Sequence, residues 1–311
     1  MRIGVMLAAR ARVDTVGELE SRALELEAMG LDSIWIPHVF GFDAILAAAL
    51  VGRVTSRIEI GTAVVPTQPR HPAALAQAAL TAGAAAGGRF TLGIGLSHPP
   101  VIQGMYGLPY ERPARHMHEE MSVLGPLLRG EPAEHRGEEM SASLSLDVEG
   151  AGEVPVLIAA LGERMLAIAG RTAAGTILWM TGPRTIESHI APTITRAAEA
   201  AGRPAPRIVA GVNVVLTSKV DEVHGKLGRL FAMYRNLPSY RAMIEREGSD
   251  DVRDYVLVGD EKALDAGLAR LRDAGATELE AYVGRGEPGD DDRTIEYLAD
   301  RARSARSEAT A

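Results

Sequence analysis

A (β/α)₈ barrel, an α/β fold, is predicted for this 311-residue chain by three observations. Amphipathic helical patterns closed by a glycine alternate with short apolar runs along the whole length. Eight such runs fit into roughly 300 residues, the number and length a closed barrel needs. No Gly-x-Gly-x-x-Gly follows the first run, which disfavours a doubly wound sheet. Gly93-Ile94-Gly95 is only a fragment of that pattern, because its next glycine arrives at Gly104. Near-continuous apolar strands separated by helices specify a parallel sheet with covered faces.

The first strand is read at 2–8, an apolar run too short for a signal peptide. Thr15-Val16-Gly17-Glu18 has the form of a capping box: Thr15 accepts from a first-turn N–H and Glu18 reaches back. Val16, Leu19, Ala23, Leu26 and Met29 follow at helical spacing, and Gly30 supplies the left-handed residue that ends the helix. The second strand is 32–37. Strands at 57–64, 89–96, 154–160, 175–180, 206–216 and 277–283 complete the set, with helices between them. The same grammar recurs at Ala169-Gly170 and Ala174-Gly175 before Thr176, and at Leu271 with Ala274-Gly275 before Leu279.

Two stretches exceed what a plain barrel needs. Residues 97–150 read as a Pro/Gly-rich loop, a helix over about 111–129 and a polar hairpin-like segment. Residues 219–256 read as two helical patterns broken at Asn236-Leu237-Pro238. As insertions after strands four and seven they lie over the C-terminal mouth, where barrel enzymes carry their sites. A loop and a final helix follow Gly284, and 1–311 reads as one domain.

Composition narrows the function. A formal net charge of −8 and 4% aromatic residues give no cationic stripe, so a nucleic-acid partner is not expected. Zero cysteines exclude disulfides, thiolate catalysis and Cys-ligated metals. The three lysines, Lys219, Lys226 and Lys262, sit in helical stretches, away from strand ends where Schiff-base chemistry would need one. The longest apolar tract, 73–86, is mostly alanine and too weak to span a bilayer. A cytoplasmic protein without a membrane partner is the expectation.

A barrel places function at strand C-termini, which selects His38, the flanks of Val64, Gly95 to His98, Ala160 to Arg164, Met180 to Gly182, Arg10 and Arg285. His38 ends the second strand as either a general acid/base or a histidine bonded to a nearby carbonyl. His71-Pro72 opens a helix, and His98 follows strand four. His116 and His118 are two apart on a helix, hence on different faces, and a solvated face accounts for them better than a metal site. Ala160-Leu161-Gly162-Glu163-Arg164 joins strand five to a helix, whose free N–H groups and Arg164 suit a phosphate. An ordinary turn is the bland alternative.

Several pieces together resemble the bacterial-luciferase-like oxidoreductases, specifically their coenzyme F420-dependent branch. The carriers are Ile58 to Pro66 with Arg70-His71-Pro72, Gly88 to Gly95, Ala159 to Gly162, Ala169-Gly170, Ala174-Gly175-Thr176, and Val258-Gly259-Asp260. The resemblance implies a dimeric barrel binding a flavin-like cofactor at its C-terminal mouth. It places a non-prolyl cis bond at Ala63–Val64, behind the ring. Cofactor contacts follow at Thr62, Ala63, Val64, Gly95, Ser97, His98, Ala160, Leu161, Gly162, Glu163 and Arg164, with His38 as the catalytic residue. Pro37 departs from the acidic residue common before it, and the glutamate of sugar-phosphate-oxidising relatives is missing, with His98 near its place. Arg10, Arg12, Arg70 and Arg164 are candidates for the anionic arm. The implied reaction is hydride transfer to or from a small, mainly apolar substrate. The alternatives are an FMN-dependent two-component monooxygenase and a non-catalytic flavin or deazaflavin binder. The apolar and aromatic residues of the insertions, among them Met105, Tyr106, Tyr234 and Tyr240, suit either a ring-shaped ligand or simple packing.

Overall fold

The computed structural model describes residues 1–7 and 13–310, and each of the eight expected runs contains a barrel strand. They are β1 (Arg2–Met6), β2 (Ser33–Ile36), β3 (Glu59–Thr62), β4 (Phe90–Gly95), β5 (Val156–Ile158), β6 (Gly175–Trp179), β7 (Arg207–Leu216) and β8 (Glu278–Val283). Each pairs in parallel with the next, and β8 pairs with β1, so the sheet closes on itself. Around it lie α1 (Val16–Met29), α2 (Ala44–Val54), α3 (Pro72–Ala85), α4 (Pro113–Leu128), α5 (Glu163–Thr172), α6 (Ala191–Ala200), α7 (Glu261–Asp273) and α8 (Asp290–Thr310). Thr15 and Glu18 form the reciprocal cap of α1, and Gly30 ends it at φ 96°.

Strand alternation sorts the interior from the shell. Ile3, Val5, Ile34, Ile36, Leu279 and Ala281 face outward into the main core beneath the helices. Trp35, Leu157, Ile177 and Val209 face inward and fill the barrel. At the strand starts Arg207 bridges Glu59 at 2.8 Å and Glu278 at 2.7 Å. The Trp35 indole N–H donates to Ser33 Oγ at 3.0 Å, and Ser33 donates to Glu278. Arg89 is part of this frame, donating to the Gly52, Thr55 and Ile58 carbonyls. These contacts close the bottom of the barrel with paired charges.

The predicted strand 57–64 is interrupted. β3 ends at Thr62, the Ala63–Val64 peptide is cis, and Val65–Pro66 then pairs with β4. Thr62 holds the gap, donating to the Gly93 carbonyl at 2.8 Å and accepting its N–H at 2.9 Å. A further strand, Val256–Gly259, pairs with Asn213–Leu216 of β7 at the end of the insertion read at 219–256, where the sequence predicts no strand. Ahead of it the second insertion forms helices Val220–Tyr234 and Pro238–Glu247, broken at the expected proline. Glu247 ties the latter helix to the loop after β6 by accepting the N–H groups of Arg184 and Thr185.

The first insertion contains α4 and the hairpin Ala133–Arg136 with Ser141–Leu144. This corrects the solvated-face reading of α4. His118 is exposed, but His116 is half-buried, 3.0 Å from Thr67 Oγ1 and 3.4 Å from Glu139. Glu119 accepts the N–H groups of Glu138, Glu139 and Met140, because the hairpin folds back over the helix. Among the described residues no group of three or more His, Asp or Glu is placed to hold a metal, and no helix is long and apolar enough to cross a membrane.

Candidate active site

One half of the mouth is lined by small residues. Val64 projects over β4, where Gly93 and Gly95 have no side chains to oppose it. A methyl group on Gly95 would lie 2.8 Å from Val64 Cγ2 and 3.1 Å from Ala159 Cβ, and one on Gly93 only 1.9 Å from the Thr62 carbonyl. Ala63, Val64, Gly95 and Ala159 thus form a shallow cradle. Non-glycine residues in the left-handed region follow three of the strands: Phe40 at φ 50°, Ser97 at 56° and Met180 at 46°. Such conformations cost ~1–3 kcal/mol each and collect at functional sites.

His38 stands at the end of β2, half-buried. Its Nδ1 accepts the Ala44 N–H at 3.2 Å, which assigns the ring proton to Nε2 in the neutral tautomer. Burial, reinforced by Arg70, holds the imidazole below its ordinary pKa despite the opposing Asp43 carboxylate. Asp43 also caps α2 through the Ile45 and Leu46 N–H groups and pairs with Arg70. Arg70, a candidate for the anionic arm, is therefore engaged by Asp43.

The β5–α5 turn forms the third part. Gly162 is the N-cap of α5 and places no side chain over its first-turn N–H groups. Glu163 and Arg164 are exposed beside it, while Ala160 is buried toward the core. The turn is fixed from behind, because His189 Nε2 lies 2.8 Å from the Leu161 carbonyl. Arg115 and Arg171 share a surface groove with Arg164 between α4 and α5. Neither of those two entered the sequence reading, because their proximity depends on how the two helices pack.

Residues 1–305 match the family described as luciferase-like monooxygenase. The chain belongs to this family.

Among relatives of this luciferase-like protein, a putative coenzyme F420-dependent oxidoreductase of Mycobacterium tuberculosis is 28% identical over 172 residues. That match covers 51% of this chain and 50% of the relative, about half its length. A 5,10-methylenetetrahydromethanopterin reductase of Methanolobus tindarius is 24% identical over 294 residues, covering 92% of this chain and 88% of the relative. Among solved structures, the coenzyme F420-dependent tetrahydromethanopterin reductase of Methanopyrus kandleri superposes with a TM-score of 0.80 at 20% identity, covering 98% and 99% of the two chains. That likeness establishes the barrel fold.

In this luciferase-like barrel the other half of the mouth is aromatic. His98 lies 6.0 Å from the Tyr240 ring, Tyr240 lies 4.8 Å from Tyr234, and Trp179 lies 6.1 Å from Tyr282. Burial lowers the His98 pKa and raises that of Tyr234. Tyr110 donates to the Ser97 carbonyl at 3.3 Å. Met105 and Tyr106 are instead exposed, Tyr106 stacking on Phe40 at 6.1 Å. His71 is structural: it caps α3 by accepting the Ala73 N–H. Arg10 and Arg12 lie outside the described residues. Trp179, Asn213, Glu280 and Tyr282 were assigned no site role from sequence, although the alternation Glu278-Leu279-Glu280-Ala281-Tyr282 marks one polar face on that strand.

Proposed function

We propose that the chain is an F420-dependent oxidoreductase that transfers a hydride between the deazaflavin and a small, mainly apolar organic substrate. The observation that carries this reading is the cradle of Ala63, Val64, Gly95 and Ala159, where an added methyl group would collide. Its small residues fit close approach of a flat ring. The F420-dependent names of the relatives favour the deazaflavin over FMN. When bound, that cofactor supplies or accepts a hydride at its C5 carbon.

The chain's own residues do the rest. Thr62 holds the bulge of Ala63 and Val64 as backing for the ring. Ala160, Leu161, Gly162 and Glu163 present the first-turn N–H groups of α5 to the cofactor phosphate, with Arg164 beside them. Ser97 and His98 close the edge after β4. His38 offers its Nε2–H to the reacting oxygen of the substrate. A neutral imidazole in that tautomer stabilises charge as it develops there.

The test is a titration of the purified protein with F420 and with FMN, followed by quenching of cofactor fluorescence. Saturable F420 binding with weaker FMN binding is expected; FMN binding without F420 binding overturns the assignment. Gly95→Val is expected to weaken F420 binding roughly 10- to 100-fold by filling the cradle. Unchanged affinity in that variant would place the ring elsewhere.

We also propose that the protein is a homodimer joined through α2. Leu46, Leu50 and Val54 form an exposed stripe at four-residue spacing, 65%, 39% and 37% accessible, that adjoins exposed Val39 and Phe40. Light scattering should give twice the chain mass of 33.0 kDa for the wild type and a single chain for Leu50→Asp. A monomeric wild type sinks this assignment.

A further inference from the structure

The β7–β8 side of the mouth holds polar groups that the roles above leave unused. Asn213 is fully buried, and among the described residues neither its amide oxygen nor its amide nitrogen has a hydrogen-bond partner. Glu280, 2% exposed, has an equally unpartnered Oε1. Strand register sets Asn213 beside Tyr282 and Gly211 beside Glu280, so the two side chains are diagonal neighbours on one inward face. Gly211 clears the space between them: a methyl group there would lie 2.9 Å from Glu280 Oε2 and 3.0 Å from Trp179 Cε3. Glu278, two residues earlier on the same strand, is by contrast fully engaged by Ser33 and Arg207.

Unmade hydrogen bonds of buried groups are costly, and native folds keep few of them without a reason. Here two adjoin at the level of the aromatic residues, Asn213 in register with Tyr282 and Glu280 with Gly211, which is itself in register with Trp179. Trp179, Tyr234 and Tyr282 carry no charge, and Arg285 beyond β8 is 3.7 Å from Asp291.

We infer that this wall recognises the substrate: Asn213 and Glu280 hydrogen-bond the far oxygen of an uncharged, flat cyclic carbonyl or hydroxyl compound whose body lies along Trp179, Tyr234 and Tyr282. The inference rests on the proposed function, which puts the reacting end of that compound at His38. Burial first, and Glu278 second, push the Glu280 carboxyl well above the ordinary carboxylate range. That shift favours the protonated form, which has an O–H to donate, and Asn213 adds two donors and an acceptor. Such a pair suits a carbonyl or hydroxyl and offers no counter-charge to a phosphate or carboxylate.

The probe is menadione, compared with 2-methylnaphthalene, which has the same ring body and no oxygen. Binding is read from tryptophan emission, since Trp179 is one of only two tryptophans and no cysteine is present for the quinone to alkylate. The wild type is expected to prefer menadione by about tenfold, the worth of one or two hydrogen bonds. Asn213→Leu should bring the two affinities close together by weakening menadione alone, while Glu280→Gln keeps most of the preference. Should Asn213→Leu fail to fold, Glu280→Met read in the same way replaces it. Equal affinities in the wild type, an unchanged preference in the leucine variant, or displacement of menadione by glucose 6-phosphate overturns the inference. F420 titration of the same samples separates the two readings. Loss of F420 binding with the preference intact refutes only the proposed function; intact F420 binding with no preference refutes only this wall.

Discussion

Replacing His38 with alanine is expected to lower turnover by roughly 100- to 10,000-fold, the usual worth of a positioned acid–base or hydrogen-bonding group. F420 affinity should stay within about threefold, because the interaction is made with the substrate as it reacts. The hydrogen bonding of the ring narrows the proposed role. Nδ1 is occupied by the Ala44 N–H, so among the described residues the Nε2–H is the side of the ring left to donate. Protonation at Nδ1 would replace an accepted hydrogen bond with two donors facing each other. In the proposed reaction His38 would thus serve as a neutral donor, and burial holds the ring's pKa below the ordinary value of 6.5. The acid limb of kcat should accordingly fall at a pH below 6.5, and it should vanish in His38→Ala. Steady-state kinetics across pH check both points. A limb at or above 6.5, or a variant with unaltered kcat, removes His38 from the reaction.

The readable part of this protein was the part set by local chemistry. The Thr15–Glu18 cap, the Gly30 stop and the Pro238 break each act within one turn of the chain, and each stands where the sequence puts it. The eight strands were legible because a covered parallel sheet needs apolar residues facing the helices. The site was legible only along strand ends. His38, Ala63 and Gly95 sit where a barrel must carry its chemistry, yet the cis Ala63–Val64 bond came from family resemblance alone. The remainder depends on what folds over what. Asn213 sits in a run of valines, and Glu280 alternates with apolar residues as though its face met solvent. In a closed barrel that face is the interior, so the usual polar-out reading is inverted. The strand Val256–Gly259 and the burial of the α4 acids share this origin, since both need a partner distant in sequence.

Glu120→Gln is expected to stabilise the protein at alkaline pH, by an amount that grows with pH. Glu120 lies on the inner side of α4, fully buried, with neither carboxyl oxygen hydrogen-bonded. Burial pushes its pKa from 4.5 up to about 8. An acid whose pKa is raised by folding contributes its full stability below the unfolded value and loses it as pH rises through the folded one. Between pH 4.5 and 8 the cost of keeping or ionising this carboxyl accumulates to ~5 kcal/mol, at about 1.4 kcal/mol per pH unit. Glutamine has the same shape and no proton to lose, so the variant escapes this penalty. Glu280 imposes a penalty of the same sign in both proteins and cancels from the comparison. Denaturant melts of the wild type and Glu120→Gln should nearly coincide at pH 5 and separate steadily toward pH 8. Parallel curves across that range would mean that Glu120 finds a partner or water, and its isolation on the buried side of α4 would be refuted.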